Sequence, residues 1–250
     1  MRHKDWIERT ASVILILLIW QIAAMSIAQP LLLASPLEVL QRLTTIWMEE
    51  EFASILAFSF SRIATGLFIS LFAGIILAVI AGKVHAVELF LWPLILMVKT
   101  VPVVAIILML LIWMTSSQLT AFIILLTVLP IIYTNMLEGI KSTDPKMMQM
   151  AQMFDMPFSK RLLYIYLPQI KPFLFSACSV SLGTAWKVGV AAEVLSIPDG
   201  SIGEAMYKAK VYFLTCDLFT WTIIVVLLSL LFEKAFMAIL ALLYNRLERL

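Results

Sequence analysis

The sequence predicts an all-α membrane protein of about six transmembrane helices with both termini cytoplasmic, and three observations carry that prediction. The 250 residues are 62% hydrophobic and only 14% charged, with a mean hydropathy of +1.01. A soluble chain is about 45–50% apolar and about 25% charged, and a core cannot absorb the excess, because a folded chain still needs a polar surface. Apolar runs long enough to span a bilayer recur along the chain; at roughly 20 residues per span plus connections, six fit and no sizeable soluble domain does. Residues 1–250 therefore read as a single membrane domain. Basic residues, finally, favour one set of connections over the other, which orients the helices.

Met1–Arg9 is basic, and an apolar run follows from Ala11 to Ala28. That run is longer than the roughly 7–15 residues of a signal-peptide core, so it is read as an uncleaved first span. Pro30 and Ser35-Pro36 break the chain, and Leu37–Glu51, with apolar residues at helical spacing, reads as an interfacial helix whose lone base is Arg42. The second span runs from about Ala53 to Ala81, and Gly82–Val87 is a short turn. Glu88–Met114 is too long for one straight span and contains Pro93 and Pro102, each of which removes a helical donor. It divides into an interfacial piece ending near Lys99 and a third span, Thr100–Met114. Leu119–Leu137, with Pro130, is the fourth span, Phe173–Ala192 the fifth, and Leu218 to about Leu243 the sixth. Between the last two lie the turn Pro198-Asp199-Gly200 and an amphipathic stretch with Lys208 and Lys210.

With the N-terminus inside, eleven bases fall in inner connections: Arg2, Lys4, Arg9, Lys83, Lys141, Lys146, Lys160, Arg161, Lys171, Arg246 and Arg249. Only Arg42, Lys208 and Lys210 fall outside. The long polar segment 138–172 is thus expected to be cytoplasmic.

Several function classes drop out. A net charge of +2 leaves no nucleic-acid footprint. Cys178 and Cys216 are far apart and show no metal-ligand spacing with His3 or His85, so no metal site is expected. No GxxxxGK[ST], HExxH or GxSxG occurs, so no nucleotide site or hydrolase is recognisable and no catalytic residue is assigned.

The segment 138–172 is the most informative. Thr143 or Asp144 can cap a helix with Pro145 in its first turn, and Met147, Met148, Ala151 and Phe154 recur at helical spacing. Asp155-Met-Pro157 interrupts it, and Phe158–Tyr166 starts a second short helix that Leu167-Pro168 is expected to stop. Two short amphipathic helices at an angle suit insertion into a partner's groove, and Met147, Met148, Met150 and Met153 can serve as an adaptable docking face.

This arrangement resembles the EAA loop of ATP-binding-cassette importer permeases, and within that superfamily the nitrate/sulfonate/taurine branch. Ser59-Phe-Ser-Arg-Ile-Ala-Thr-Gly66, Lys99-Thr-Val-Pro-Val-Val-Ala105 through Trp113, Ala185-Trp186-Lys187, Ala192-Glu193 and Ser201-Ile-Gly203 match in order, from roughly Leu31 to the end. Gln149 stands where the motif usually begins with an acid, and Asp155 where it has glycine. Asp tolerates a left-handed backbone better than most residues, so the turn can persist. Leu108 and Thr115 replace the branch's usual proline and glycine in span three, which removes residues that would kink it there.

The resemblance implies a type I importer permease in the cytoplasmic (inner) membrane. It implies a homodimer joined by two ATPase subunits, which bind ATP and magnesium, and by an extracytoplasmic binding protein. This chain itself binds no cofactor in that reading. It implies ATPase coupling through Gln149, Met150, Ala151, Gln152, Phe154, Asp155, Leu167 and Pro168, with Ala151 small because it packs closely in the ATPase groove. The implied solute is a small anion of the sulfonate, nitrate or taurine kind. A secondary transporter or a membrane-embedded enzyme without an ATPase is the alternative, but no internal repeat and no cluster of acids, histidines or nucleophiles supports it.

Arg62, Lys99, Lys187 and Glu193 are the candidate pathway residues. Ionisable groups in spans are costly and usually face a cavity or pair with each other. Arg62 and Lys99, near span ends, also read as snorkelling or as partners of Glu193 or Glu88. Lys187 lies deeper, and both a pathway role and a structural one stand open. Ser176, Ser179, Ser181, Gly183 and Gly189 read as helix-packing residues, with pore lining as the second possibility.

Overall fold

The computed structural model describes residues 3–29 and 31–247. Arg2 and Arg249, counted above among the inner bases, lie outside the described residues, as do the side chains of Lys4 and Arg9. Regular structure among the described residues is entirely helical. In order it comprises α1 (His3–Ile27), α2 (Pro36–Thr45), a 3₁₀ turn (Ile46–Met48), α3 (Phe52–Lys83), α4 (His85–Thr100), α5 (Val103–Leu110), α6 (Ser116–Lys141) and α7 (Pro145–Met153). Then come α8 (Phe158–Arg161), a π turn (Leu162–Tyr166), α9 (Leu167–Ser196), α10 (Ile202–Val211) and α11 (Thr215–Leu247). Helices containing Thr10–Ile27, Phe52–Lys83, Ser116–Lys141, Phe158–Ser196 and Thr215–Leu247 are long and apolar enough to cross a membrane, and α4 with α5 makes a sixth candidate as a bent pair.

The third span differs from the single Thr100–Met114 span that the sequence suggests. The chain turns by 98° between α4 and α5, and α5 is eight residues long. That is roughly 12 Å of helix against a hydrocarbon core of about 30 Å. Pro102 sets the break by occupying the position before α5 with an extended ψ of 125°, whereas Pro93 is accommodated inside α4.

The chain forms two compact units, Met1–Ser59 with Ile197–Val226, and Phe60–Ser196 with Leu227–Leu250. In the first, Ser35 caps α2 with a full capping box: its N–H donates to the Glu38 carboxylate at 2.8 Å, and the Glu38 N–H donates back to its hydroxyl. Arg42, on α2, donates to Asp217 at 2.5 Å and also pairs with Glu49. Ile46, Phe52, Ile202, Trp221 and Ile224 form the core beneath. Ser201 caps α10, and the Ile202 N–H donates to the Ser59 hydroxyl at 2.9 Å. Burial raises the Glu204 carboxyl's pKa, but the Lys208 ammonium and the Gly200 N–H outweigh it and hold the group below the usual carboxylate value. The α1 span is almost wholly exposed and apolar all round, the surface a helix presents to lipid.

In the second unit α6 and α9 pack most extensively. Ile123, Ile124, Ile132, Leu182 and Trp186 are buried there. Gly66 and Gly189 let the backbones approach: a Cβ on Gly66 would lie 2.8 Å from the Ala121 carbonyl oxygen, and one on Gly189 2.8 Å from Ile63. Small residues at helix crossings replace the hydrophobic drive that a membrane cannot supply.

Candidate functional site

The segment 138–172 is built as the sequence suggests at its start and differently at its end. The Asp144 carboxylate accepts the Lys146 N–H at 2.8 Å, and Pro145 opens α7. Asp155 adopts φ +44°, the left-handed conformation expected of it. The Met156 N–H returns to the Ala151 carbonyl at 2.9 Å and the Asp155 N–H to the Gln152 carbonyl at 3.1 Å. This pair of bonds is a Schellman motif, which satisfies carbonyls left open at the end of α7. Pro157 then starts the new direction, and the Arg161 guanidinium donates to the Met156 carbonyl at 2.8 Å, bracing the corner.

Leu167-Pro168 does not stop the second helix. α8 runs through the π turn into α9. The Leu167 N–H reaches back five residues to the Leu162 carbonyl, and this wider winding comes just before Pro168, whose ring would otherwise meet the carbonyl four residues back. The loop's second arm and the α9 span are therefore one continuous rod. Ala151 lies at the turn itself. Its side chain is fully buried inside this chain, at the position of the Schellman motif that packs against Met156. Its small size fits the turn itself.

What the loop offers to a partner is different. Met147, Met150 and Phe154 form an i, i+3, i+7 stripe that is exposed, and Met153, 84% exposed, extends it. Gln149 and Gln152 are exposed beside them, whereas Met148 is half-buried. Four contacts invisible in the local pattern anchor this surface. The Asp144 N–H donates to the Gln169 side-chain oxygen at 2.8 Å, and the Gln169 amide donates to the Met147 sulfur at 3.2 Å. The Tyr244 hydroxyl of α11 donates to the Leu167 carbonyl at 2.5 Å. The Lys83 ammonium, ending α3, lies 5.4 Å from the centre of the Phe158 ring, a cation–π distance.

The four candidate pathway residues are not brought together as one cluster. Arg62 donates to the Ser116 carbonyl at 2.8 Å and is attracted by Glu193, which is fully buried on α9. Glu88 is taken by Lys141 at 2.5 Å and by His85 at 3.3 Å. Lys99 donates to the Thr134 hydroxyl at 3.3 Å. Lys187 is exposed and makes no hydrogen bond or ion pair among the described residues. Two sets of contacts in the spans, one polar and one aromatic, escaped the sequence reading: Glu233, on α11, accepts a hydrogen bond from Ser179 at 2.8 Å, and Trp186 packs against Phe60 and Phe232 with ring centres 6.2 and 6.3 Å away. Glu233 was detectable as an acid in an apolar run; its partner was not.

Comparison with known proteins agrees with this architecture. The chain is 24% identical to SsuC of Bacillus subtilis (strain 168), a permease protein named for aliphatic sulfonate transport, over 89% of this chain and 81% of that protein. It is 25% identical to the taurine transport system permease protein TauC of Escherichia coli (strain K12), over 88% and 82% respectively. It is 28% identical to the formylaminopyrimidine transport permease protein ThiX of Halalkalibacterium halodurans, over 80% of each. Residues 52–249 match the family described as binding-protein-dependent transport system inner membrane component. Its members are transport components and not enzymes, and the apolar helices described above are those of a multi-pass inner-membrane protein. The chain belongs to this family of binding-protein-dependent importer permeases of the inner membrane.

Proposed function

We propose that this permease works as a homodimer, carries two ATPase subunits on α7 and α8, and imports a small anion handed over by an extracytoplasmic binding protein. The termini and the 138–172 loop face the cytoplasm in this reading, in line with the bias of basic residues. ATP and magnesium are held by the ATPase subunits, and Gln149, Met150, Gln152 and Phe154 meet them directly. Ala151 and Asp155 shape the turn, and Leu167 and Pro168 carry its movement into the span. The observation that carries the reading is the continuity of α8, the π turn and α9, joined to an exposed Met150–Met153–Phe154 face. A push on that face passes through the Asp155–Pro157 corner, braced by Arg161, into one unbroken helix that enters the membrane, which suits rigid-body alternating access. The anionic substrate rests on relatives named for sulfonates, taurine, nitrate and bicarbonate; the relative named for formylaminopyrimidine widens the range of solutes that this fold carries.

The test separates the docking face from the turn. Met153→Ser with Phe154→Ser removes exposed apolar area, so ATPase co-purification and uptake should fall while thermal stability stays unchanged. Ala151→Leu overpacks a filled site, at a cost of about 1–3 kcal/mol, and should loosen the loop itself. Full ATPase recovery and uptake by the Met153→Ser/Phe154→Ser variant would overturn the assignment of this face.

A further inference from the structure

We infer that Lys187 is the charge-selecting residue of the translocation path, the cation that each permease copy presents to the solute in mid-membrane. This rests on the importer reading above and specifies the site within it.

Lys187 lies on α9 nine residues before its end at Ser196. At 1.5 Å per residue that is roughly 14 Å, close to half the thickness of the hydrocarbon core. A lysine near a helix end carries its charge out along its four-carbon stem; Lys187 is set back from the end of α9 by about two and a half turns, farther than that stem reaches. None of Glu193, Glu233 and Glu88 pairs with it: Glu193 attracts Arg62, Glu233 accepts a hydrogen bond from Ser179, and Glu88 pairs with Lys141. An ammonium facing lipid here would be heavily penalised, so it faces water or an anion.

The rest of its helix face agrees. Ser176, Val180, Gly183, Thr184, Lys187 and Ala191 fall at i, i+4, i+7, i+8, i+11 and i+15, one stripe along α9, and all are exposed or half-exposed. A Cβ on Gly183 would touch nothing within 4 Å. Other exposed faces in the same unit have the composition that lipid selects, Phe68, Ile69, Phe72 and Ile76 on α3 and Leu227, Leu230 and Leu231 on α11. The α9 stripe is small and polar around a single positive charge. A charged side chain in a narrow aqueous passage selects the sign of what passes.

The test needs no knowledge of the natural solute. In the full importer in membrane vesicles, with Cys178 and Cys216 replaced by alanine, Thr184→Cys places a thiol one turn from Lys187. The probes are two methanethiosulfonates, one ending in a sulfonate and one in a trimethylammonium. Relative to each reagent's rate with a free thiol in solution, the sulfonate reagent should be favoured by about tenfold, the scale on which charged clefts concentrate counter-ions. Lys187→Gln should abolish that preference and Lys187→Arg should keep it; Ala191→Cys, on the other side of Lys187, serves as a second reporter should Thr184→Cys assemble poorly. Labelling by neither reagent at either position, equal relative rates with Lys187 present, or a preference that survives Lys187→Gln would each overturn the inference. Recovery of an ATPase subunit with the same preparation tests the importer reading separately, so the two can fail independently.

Discussion

The backbone N–H of Asp144 donates to the side chain of Gln169 at 2.8 Å, across 25 residues of sequence. One amide thereby closes the two arms of the loop at their membrane ends, and its other half reaches the Met147 sulfur. Without it, α7 would hang from Ser142–Thr143 alone at its start. Gln169→Leu should therefore leave membrane insertion intact and destabilise the loop by about 1 kcal/mol, the worth of one exchanged hydrogen bond. The measurement is limited proteolysis between Lys141 and Lys160, with cleavage faster in the variant. Unchanged cleavage would show that the capped start of α7 suffices by itself.

Asp155 offers a sharper substitution series, because its φ of +44° is a fixed demand of the turn. Asp155→Gly meets that demand with no Cβ to strain and should retain ATPase co-purification and uptake. Asp155→Val should lose both, since a branched residue held there costs on the order of 1–3 kcal/mol. Equal behaviour of the two variants would mean that the turn is dispensable.

What could be read from the sequence in this loop was local chemistry. The cap at Asp144, the proline after it and the tolerance of Asp155 for a left-handed backbone all follow from residue types a few positions apart. The same reasoning failed at Pro168, because it treats proline as a stop and cannot see that a π turn precedes it. Nor does an amphipathic pattern show that Ala151, a small residue on α7, lies buried under its own chain. Gln169, Tyr244 and the Ser179–Glu233 contact were invisible for a third reason: each joins elements far apart in sequence, and no periodicity marks such pairs. The spans themselves were plain from hydropathy. The break expected near Lys99 falls between Thr100 and Val103, but its angle of 98° was not legible, since no local pattern sets it.

Sidedness can be tested at two exposed positions. Ser159 lies on α8 and Asp199 in the turn before α10, and both are exposed. In intact cells, Ser159→Cys should resist an impermeant maleimide and Asp199→Cys should react, with Cys216 replaced in both. Ser201, although in the same turn, is a poor reporter because it is fully buried and caps α10. Reversed labelling would place the loop outside and remove the physical basis for ATPase docking there.

Arg62 and Glu193 decide whether a charge in the spans serves the fold or the solute. Arg62 is held by the Ser116 carbonyl and attracted by Glu193, which is wholly buried on the neighbouring helix. Breaking a buried pair from one side leaves an uncompensated charge, which costs about 3–5 kcal/mol when both groups are fully enclosed. Arg62 is only half-buried, so solvent screening should bring the cost toward or below the lower figure. Arg62→Met and Glu193→Met should each lower the melting temperature in detergent and the amount of assembled importer. The double variant should recover most of the loss, because two apolar side chains replace a pair whose desolvation offsets much of its attraction. A pathway role predicts a different pattern, with each single variant assembling normally and transporting poorly. If the double variant is destabilised by the sum of the two singles, the residues do not act as a pair, and both return to the list of groups that the solute could meet.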